Sequence, residues 1–280
     1  MTSIYDVIPD IYKLVGGNNG ITSLLASDMG HRIGGAIKTS LEHQERRALR
    51  LSGLGPKCPR ELWYSVNAPQ LAEPLPPYAR IKYMYGHIIE HLTIGLCKAA
   101  GHEVTGEQDE ITVDGILGHR DCVLDGCIVD VKSAATRSFQ KFKDKTIFSD
   151  DPFGYLDQLD GYLLGSSDDP LVRVKDRAYL LAVDKTLGHM VLYEHRLRED
   201  SIRSRIADYK RIVRLSTPPA CTCGTVPDGK SGNIKLDTKA SYNLFKHHCF
   251  PALRTFLYAS GPVYLTKVVR TPDVTELTKH

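Results

Sequence analysis

The sequence predicts a mixed α/β protein: a central mixed β-sheet flanked by helices, with helical and loop extensions at both ends. Three observations carry this. Apolar residues recur at helical spacing in Ile81, Met84, Ile88, Leu92 and Leu96. Strand-like segments follow, arranged around Asp125-Gly126, a strong two-residue hairpin signal. The order helix, three strands, helix, strand then calls for helices packed on a sheet.

In chain order, residues 1–27 are a mixed apolar lead-in broken at Gly16 and Gly17. Residues 35–51 (GAIKTSLEHQERRALRL) read as a helix that is basic on one side. A loop follows, with GLGPKCPRELWYSV and the proline-rich PQLAEPLPP. Residues 78–100 form the periodic helix, and Gly101 stands where a C-cap belongs. Strands are expected near 103–113, 116–124 and 127–132, and helices near 136–144 and 152–165. Two further strands, 177–184 and 189–194, flank the turn-like KTLG, and a charged helix fills 196–214. The tail from 216 is rich in Pro, Gly and Lys, with one helix at 240–259. The expected organisation is an N-terminal helical extension (1–77), a core (78–215) and a C-terminal extension (216–280) that packs back on the N-terminal region as one compact unit.

The chain has 280 residues, 42% hydrophobic and 25% charged, which suffices for a sizeable core. Its net charge of +3 does not by itself indicate a polyanionic partner. No apolar run approaches the roughly 18 residues that cross a bilayer. MTSIYDVIPD lacks the basic and apolar regions of a secretory signal, so the expected location is cytoplasmic. The seven cysteines then read as thiols or ligands in a reducing compartment.

The stretch Gly118–Ser133 (GHRDCVLDGCIVDVKS) carries the chemistry. If Asp125-Gly126 forms the turn, Leu124 pairs with Cys127, Val123 with Ile128 and Cys122 with Val129. Asp121 then faces Asp130, and His119 faces Lys132. Alternation puts Asp121, Asp130 and Lys132 on one face and Cys122, Leu124, Cys127, Val129 and Val131 on the other, apolar one. Two carboxylates across a hairpin repel each other, and near a core the cost grows. A hard cation, Mg²⁺ or Mn²⁺, turns that liability into a site. Lys132 would orient water or neutralise charge developing on a phosphate. An exposed sheet face with an Asp–Lys ion pair is the plainer alternative.

Asp121 followed by Asp130-Val131-Lys132 resembles the PD-(D/E)XK nuclease signature. Gly86-His87-Ile88-Ile89-Glu90 on the preceding helix and Gln158-Leu159-Asp160-Gly161-Tyr162, a Q-x-x-x-Y motif, are similar to the RecB-like branch and its phage-type exonucleases. The motifs span about 58–162. The resemblance implies a restriction-endonuclease-like core in which Glu90, Asp121, Asp130 and the Val131 carbonyl bind Mg²⁺ or Mn²⁺ and Lys132 assists the attacking water. It implies that Gln158 and Tyr162 contact DNA near the scissile phosphate; Ser133, Lys141 and Lys143 are further candidate DNA contacts, the two lysines as basic groups that could track phosphates. Arg46, Arg47, Arg50 and Lys145 are further basic groups suited to tracking phosphates. The implied activity is metal-dependent DNA exonuclease hydrolysis, in phage recombination or replication or in host-DNA degradation within a bacterial cytoplasm. A phage single-strand annealing or replication protein is a further partner compatible with it.

Cys58-Pro59-Arg60 also fits that branch, many members of which hold an iron–sulfur cluster through one Cys before the core and a C-x2-C-x5-C near the C-terminus. Here that register falls on Ala240, Asn243 and Cys249, so two of three thiolates are missing. Cys221 and Cys223 are substitutes outside the pattern. A zinc site from Cys221, Cys223, Cys249 and Cys58 or His247 is one alternative, and simple thiol packing another. Cys97, Cys122 and Cys127 belong to apolar patterns and are expected in the core.

Two other strings compete. Gly224–Ser231 satisfies G-x4-G-K-S, but no strand-then-helix context surrounds it and Pro227 removes an amide donor. His87-Ile88-Ile89-Glu90-His91 matches the H-x-x-E-H of a zinc metallopeptidase, which needs a third ligand elsewhere and leaves Asp121, Asp130 and Lys132 without a role. A non-catalytic DNA-binding scaffold is the third alternative, disfavoured by the complete acidic set.

Overall fold

A computed structural model describes residues 2–17, 20–42 and 48–277. Its helices are α1 (Val7–Gly16), α2 (Ser23–Leu41), α3 (Pro59–Asn67), α4 (Pro77–Ala99), α5 (Thr136–Lys143), α6 (Tyr155–Gly165), α7 (Glu199–Val213), α8 (Thr238–Ser241) and α9 (Lys246–Cys249). Its strands are β1 (Val104–Thr105), β2 (Glu110–Val113), β3 (Ile116–His119), β4 (Cys122–Leu124), β5 (Cys127–Ala134), β6 (Arg177–Asp184), β7 (Met190–Arg196), β8 (Thr225–Pro227), β9 (Ile234–Leu236), β10 (Arg254–Tyr258), β11 (Gly261–Lys267) and β12 (Glu276–Leu277). Among the described residues two compact units result, one of 2–17, 20–42, 49–55 and 76–206, the other of 48, 56–75 and 207–277.

The first unit is built on a five-stranded mixed sheet in the order β1-β4-β5-β6-β7. β5 and β6 run parallel and the other neighbours antiparallel. A separate hairpin pairs β2 with β3. One face of the sheet packs on α1 and α4, where Ile4, Val7, Ile11, Ile94 and Cys97 close over Cys122, Leu124, Cys127, Val129, Val131, Tyr179 and Leu181. This is the apolar face expected from the hairpin register. The other face carries α5 and α6. The mixed α/β architecture matches the expectation, and β6, β7, α5, α6 and α7 fall close to their expected spans.

The register of the central hairpin is also as expected: Cys122 with Val129, Val123 with Ile128 and Leu124 with Cys127. Asp125 (φ 51°) and Gly126 (φ 81°) both adopt the left-handed conformation that a tight twisted turn requires. Asp125 accepts the Glu103 amide at 3.0 Å and meets the buried His102 Nδ1 at 2.6 Å, which anchors the turn.

Several elements differ from expectation, among them the loop expected over GLGPKCPRELWYSV, which contains α3, and the strand expected over 103–113, which is split between β1 and β2 of different sheets. The lead-in contains α1, and the next helix covers 23–41, not 35–51; Arg46 and Arg47 lie outside the described residues. On α4 the buried positions are Thr93, Ile94, Gly95 and Cys97, whereas Ile81 and Leu92 of the expected stripe are exposed. Periodicity finds a helix but does not choose its partner, and here Gly95 admits Met29 of α2, whose side chain would lie 2.6 Å from an added Cβ. The strand expected over 116–124 breaks at Arg120–Asp121 into β3 and β4. The helix expected at 240–259 is two single turns, α8 and α9, followed by β10 and β11. Pro251 halts helical growth there, and RTFLY and VYLT are rich in strand-forming residues. The second unit therefore contains an antiparallel sheet in the order β12-β10-β11-β9-β8.

One close approach positions α6. Gly154 (φ +74°) precedes this helix, and a Cβ there would sit 2.0 Å from the Gly55 Cα. Asp151 accepts the Gly154 and Leu156 amides at 2.8 and 2.9 Å, satisfying donors of the helix start. We expect Gly154→Ala to destabilise the protein by about 1–3 kcal/mol, since both backbone strain and a backbone clash arise. Urea denaturation of the two proteins measures this, and an unchanged midpoint would contradict it.

Candidate active site at the open end of the hairpin

β4 begins only at Cys122, so β5 outruns it from Asp130 onward. The Val131 amide then lacks a ladder partner on that side, and the Asp121 carboxylate supplies one, with Oδ2 2.7 Å from the nitrogen. Asp121 and Asp130 do not face each other in the ladder, and His119 pairs with Glu110, not Lys132. The side chain of Asp121 nevertheless returns to β5 beside Asp130.

Arg120 makes this break possible. It is 2% exposed. Its guanidinium meets Asp169 at 2.5 Å, Asp109 at 2.8 Å and the Gly106 carbonyl at 3.1 Å. An arginine between a strand end and an acidic residue reads as an ordinary surface cation, so nothing in the sequence marked it as buried.

Asp130 is buried on the sheet face that α6 covers. Its Oδ1 accepts Gln158 Nε2 at 3.1 Å, and its Oδ2 meets the Lys132 ammonium. The Lys132 ammonium also lies 3.4 Å from Gln158 Oε1 and 4.8 Å from the Tyr155 ring centroid. Gln158 Nε2 donates to the Tyr162 hydroxyl at 2.6 Å, which donates in turn to the His119 carbonyl at 2.6 Å. Both Gln158 and Tyr162 are buried, 8% and 1% exposed, and they bond to each other, to Asp130 and to the His119 carbonyl within this network. Glu90 reaches in from α4, with Oε1 accepting Gln108 Nε2 at 2.7 Å and Oε2 3.6 Å from His87.

The electrostatics follow from crowding. Burial raises the Asp121 carboxyl well above its usual range, and Asp130 and Glu90 raise it further. Burial likewise raises Asp130, against the pull of Lys132. Burial alone would lower Lys132, but Asp130 and Asp121 outweigh it and hold the ammonium firmly protonated. The donor chemistry suits a hard divalent cation: two carboxyls that resist ionisation side by side, with a third close enough to add to the repulsion. Each carboxylate also has a protein partner: Glu90 has Gln108, Asp121 has the Val131 amide, and Asp130 has Gln158 and Lys132.

Of the remaining expected residues, Ser133 is half-buried on β5 and Lys143 is exposed on α5. Lys141 pairs with Asp150 at 2.6 Å. His87 is half exposed, and His91 Nδ1 is buried with no hydrogen-bond partner among the described residues. No third ligand joins His87 and His91 among the described residues, which removes the support for an H-x-x-E-H zinc site. The G-x4-G-K-S string forms β8 and the turn into β9, with no following helix to face a phosphate.

In the second unit, Cys58, Cys221, Cys223 and Cys249 come together with their four sulfurs within 4.8 Å of one another. Sequence spacing counted two thiolates as lost at Ala240 and Asn243, and the fold restores them from Cys221 and Cys223. His247 is not among them and instead pairs with Glu73. Cys97, Cys122 and Cys127 are core thiols as expected. Burial pushes Cys97 up to about 12 and Cys127 up to about 11, so neither is a ready thiolate.

No family model matches the chain. No curated protein matches it either. Among solved structures, one described as SSO0001 is 17% identical over 79% of this chain and 96% of its own, with a TM-score of 0.43. A phage-related exonuclease from Haemophilus somnus 129PT is 15% identical over 63% of this chain and 96% of its own, with a TM-score of 0.41. An alkaline exonuclease from Laribacter hongkongensis is 12% identical over 64% of this chain and 90% of its own, with a TM-score of 0.37. At these TM-scores the likenesses carry no weight for activity, which has to be read from the site.

Two outcomes follow. Removing the Arg120 guanidinium leaves Asp169 without its closest cation, and Arg120→Ala should cost about 3 kcal/mol or more in denaturant unfolding. An unchanged midpoint would contradict the anchoring role. The raised Asp121 carboxyl binds its proton more tightly in the folded state than in the unfolded one. Its stabilising contribution is therefore present at low pH and is lost as pH rises above about 4 and through the folded-state value. Asp121→Asn should accordingly melt higher than wild type near pH 8, with the difference shrinking toward pH 4. A constant difference across that range would show that Asp121 is not raised.

Proposed function

We propose that this protein is a metal-dependent deoxyribonuclease that hydrolyses phosphodiester bonds, acting as an exonuclease. The observation that carries the reading is the juxtaposition of Asp121, Asp130 and Lys132 at the open end of one hairpin, with Glu90 arriving from α4. Glu90, Asp121, Asp130 and the Val131 carbonyl would hold Mg²⁺ or Mn²⁺. When bound, such an ion supplies Lewis acidity toward the phosphate and lowers the pKa of water.

The chain's own groups divide the remaining work. Lys132, held as an ammonium, is unsuited to taking a proton and suited to neutralising charge that grows on the phosphate. Asp130 is pinned on Oδ1 by Gln158, and Gln158 is fixed by Tyr162 and the His119 carbonyl. These two residues act in this reading as positioning groups for the carboxylate and the ammonium. Substrate phosphates would pass along α5, whose Arg137 and Lys143 are exposed, so binding should weaken with salt. The resemblance in sequence motifs favours a role in phage recombination or replication, or in host-DNA breakdown, within a bacterial cytoplasm.

Digestion of end-labelled linear and circular DNA with Mg²⁺, Mn²⁺ or EDTA tests the proposal. Linear DNA should be degraded with either metal and spared in EDTA, and circular DNA should survive. Asp121→Ala and Lys132→Ala should each lose at least about 100-fold in rate. Gln158→Leu should lose less while remaining folded. Normal digestion by Asp121→Ala would overturn the catalytic assignment, and equal cutting of circles would overturn the exonuclease assignment. Binding without any cleavage would favour a DNA-binding scaffold.

A further inference from the structure

The four cysteines of the second unit come from distant parts of the chain. Cys58 precedes α3, Cys221 and Cys223 lie in the segment before β8, and Cys249 ends α9. None forms a disulfide. Cys58 and Cys221 sulfurs are 3.8 Å apart, nearly twice a sulfur–sulfur bond length. All four sulfurs lie within 4.8 Å of one another.

That spacing discriminates between metals. Four thiolates around a single tetrahedral zinc, each about 2.3 Å from the ion, stand about 3.8 Å apart along the edges. In an iron–sulfur cube each cysteine binds a different iron and points outward, so the sulfurs stand more than about 6 Å apart. A two-iron cluster keeps each same-iron pair close and separates the two pairs by a comparable distance. The observed set is too tight for either cluster. The iron–sulfur group implied by the resemblance therefore does not fit the residues as the fold arranges them.

The surroundings are built for thiolates. The Thr222 amide lies 3.3 Å from the Cys58 sulfur, and the Cys223 amide lies 3.4 Å from the Cys221 sulfur. Asn243, 1% exposed, directs Nδ2 at both Cys223 and Cys249, 3.4 Å from each sulfur. Every sulfur thus receives an N–H donor, as groups around bound thiolates commonly do. Asn243 stands where the cluster register expected a ligand and is an outer donor to two ligands instead. Its Oδ1 accepts the Phe245 amide at 2.8 Å, which fixes which end of the amide faces sulfur.

We propose that Cys58, Cys221, Cys223 and Cys249 bind one Zn²⁺ as a closed tetrahedral structural site. With four protein ligands the ion keeps no open position, so its role is to tie together three chain segments of the second unit and not to take part in catalysis. The site is independent of the proposed nuclease chemistry: a protein without DNase activity could hold the zinc, and an active one could lack it.

The test is metal analysis of the full-length protein, purified anaerobically after expression with both iron and zinc supplied. About one zinc per chain, with no acid-labile sulfide and no iron–sulfur charge-transfer absorbance, is the expected result. Cobalt exchanged into the wild-type protein should give thiolate-to-metal charge transfer and tetrahedral ligand-field bands, a readout that needs no variant to fold. Asn243→Ala should weaken zinc about 10–100-fold in chelator competition while keeping the cobalt bands. Cys221→Ser and Cys223→Ser should each lose zinc. Stoichiometric iron with sulfide would overturn the proposal, as would metal-free protein whose thiols all titrate, or zinc retained in both serine variants.

Discussion

The hydrogen bond from the Val131 amide to the Asp121 carboxylate is the constraint on which the candidate site depends. It exists because β4 starts one residue after Asp121, leaving a strand amide that a side chain must satisfy. An unpaired buried amide costs about as much as a lost hydrogen bond, so the chain is held to this geometry. The same bond draws Asp121 toward Asp130 against the repulsion between them. Arg120 secures the bend from the other side through Asp109 and Asp169.

Around that bond the polar groups form one connected set. Lys132 offsets the negative charge, Gln158 links Asp130, Lys132 and Tyr162, and Tyr162 ends on the His119 carbonyl. Each group is oriented by the next, and the set rests on β5 and α6, elements buried in the core of their unit. Behind α6, Asp160 is held ionised: burial opposes its charge, but His195 and Arg198 outweigh burial. The helix that carries Gln158 and Tyr162 is therefore fixed on the side away from the carboxylates as well.

The four-cysteine set follows a different logic. It relies on no strand register and draws on loops and helix ends beside the small apolar cluster of Leu236, Ala240 and Leu253. A metal ion suits that setting, since ligand bonds to three segments order them without a large core.

Much of this was legible from the residues in a row. Asp125-Gly126 determined its turn, and through it the pairing of β4 with β5 and the apolar face of the hairpin, because a two-residue turn allows one register. Asp130 and Lys132 share a face for the same local reason. What the tertiary structure decided lies at longer range. The break at Arg120–Asp121 depends on acidic partners at Asp109 and Asp169. The buried face of α4 depends on which helices approach it, and so departs from the stripe of Ile81 and Leu92. The meeting of Cys58 with Cys221, Cys223 and Cys249, which the residues in a row offered only as one of several alternatives, was decided by packing between distant segments. Backbone preference and side-chain alternation act over a few residues, whereas contacts between distant segments are set by how the whole unit closes.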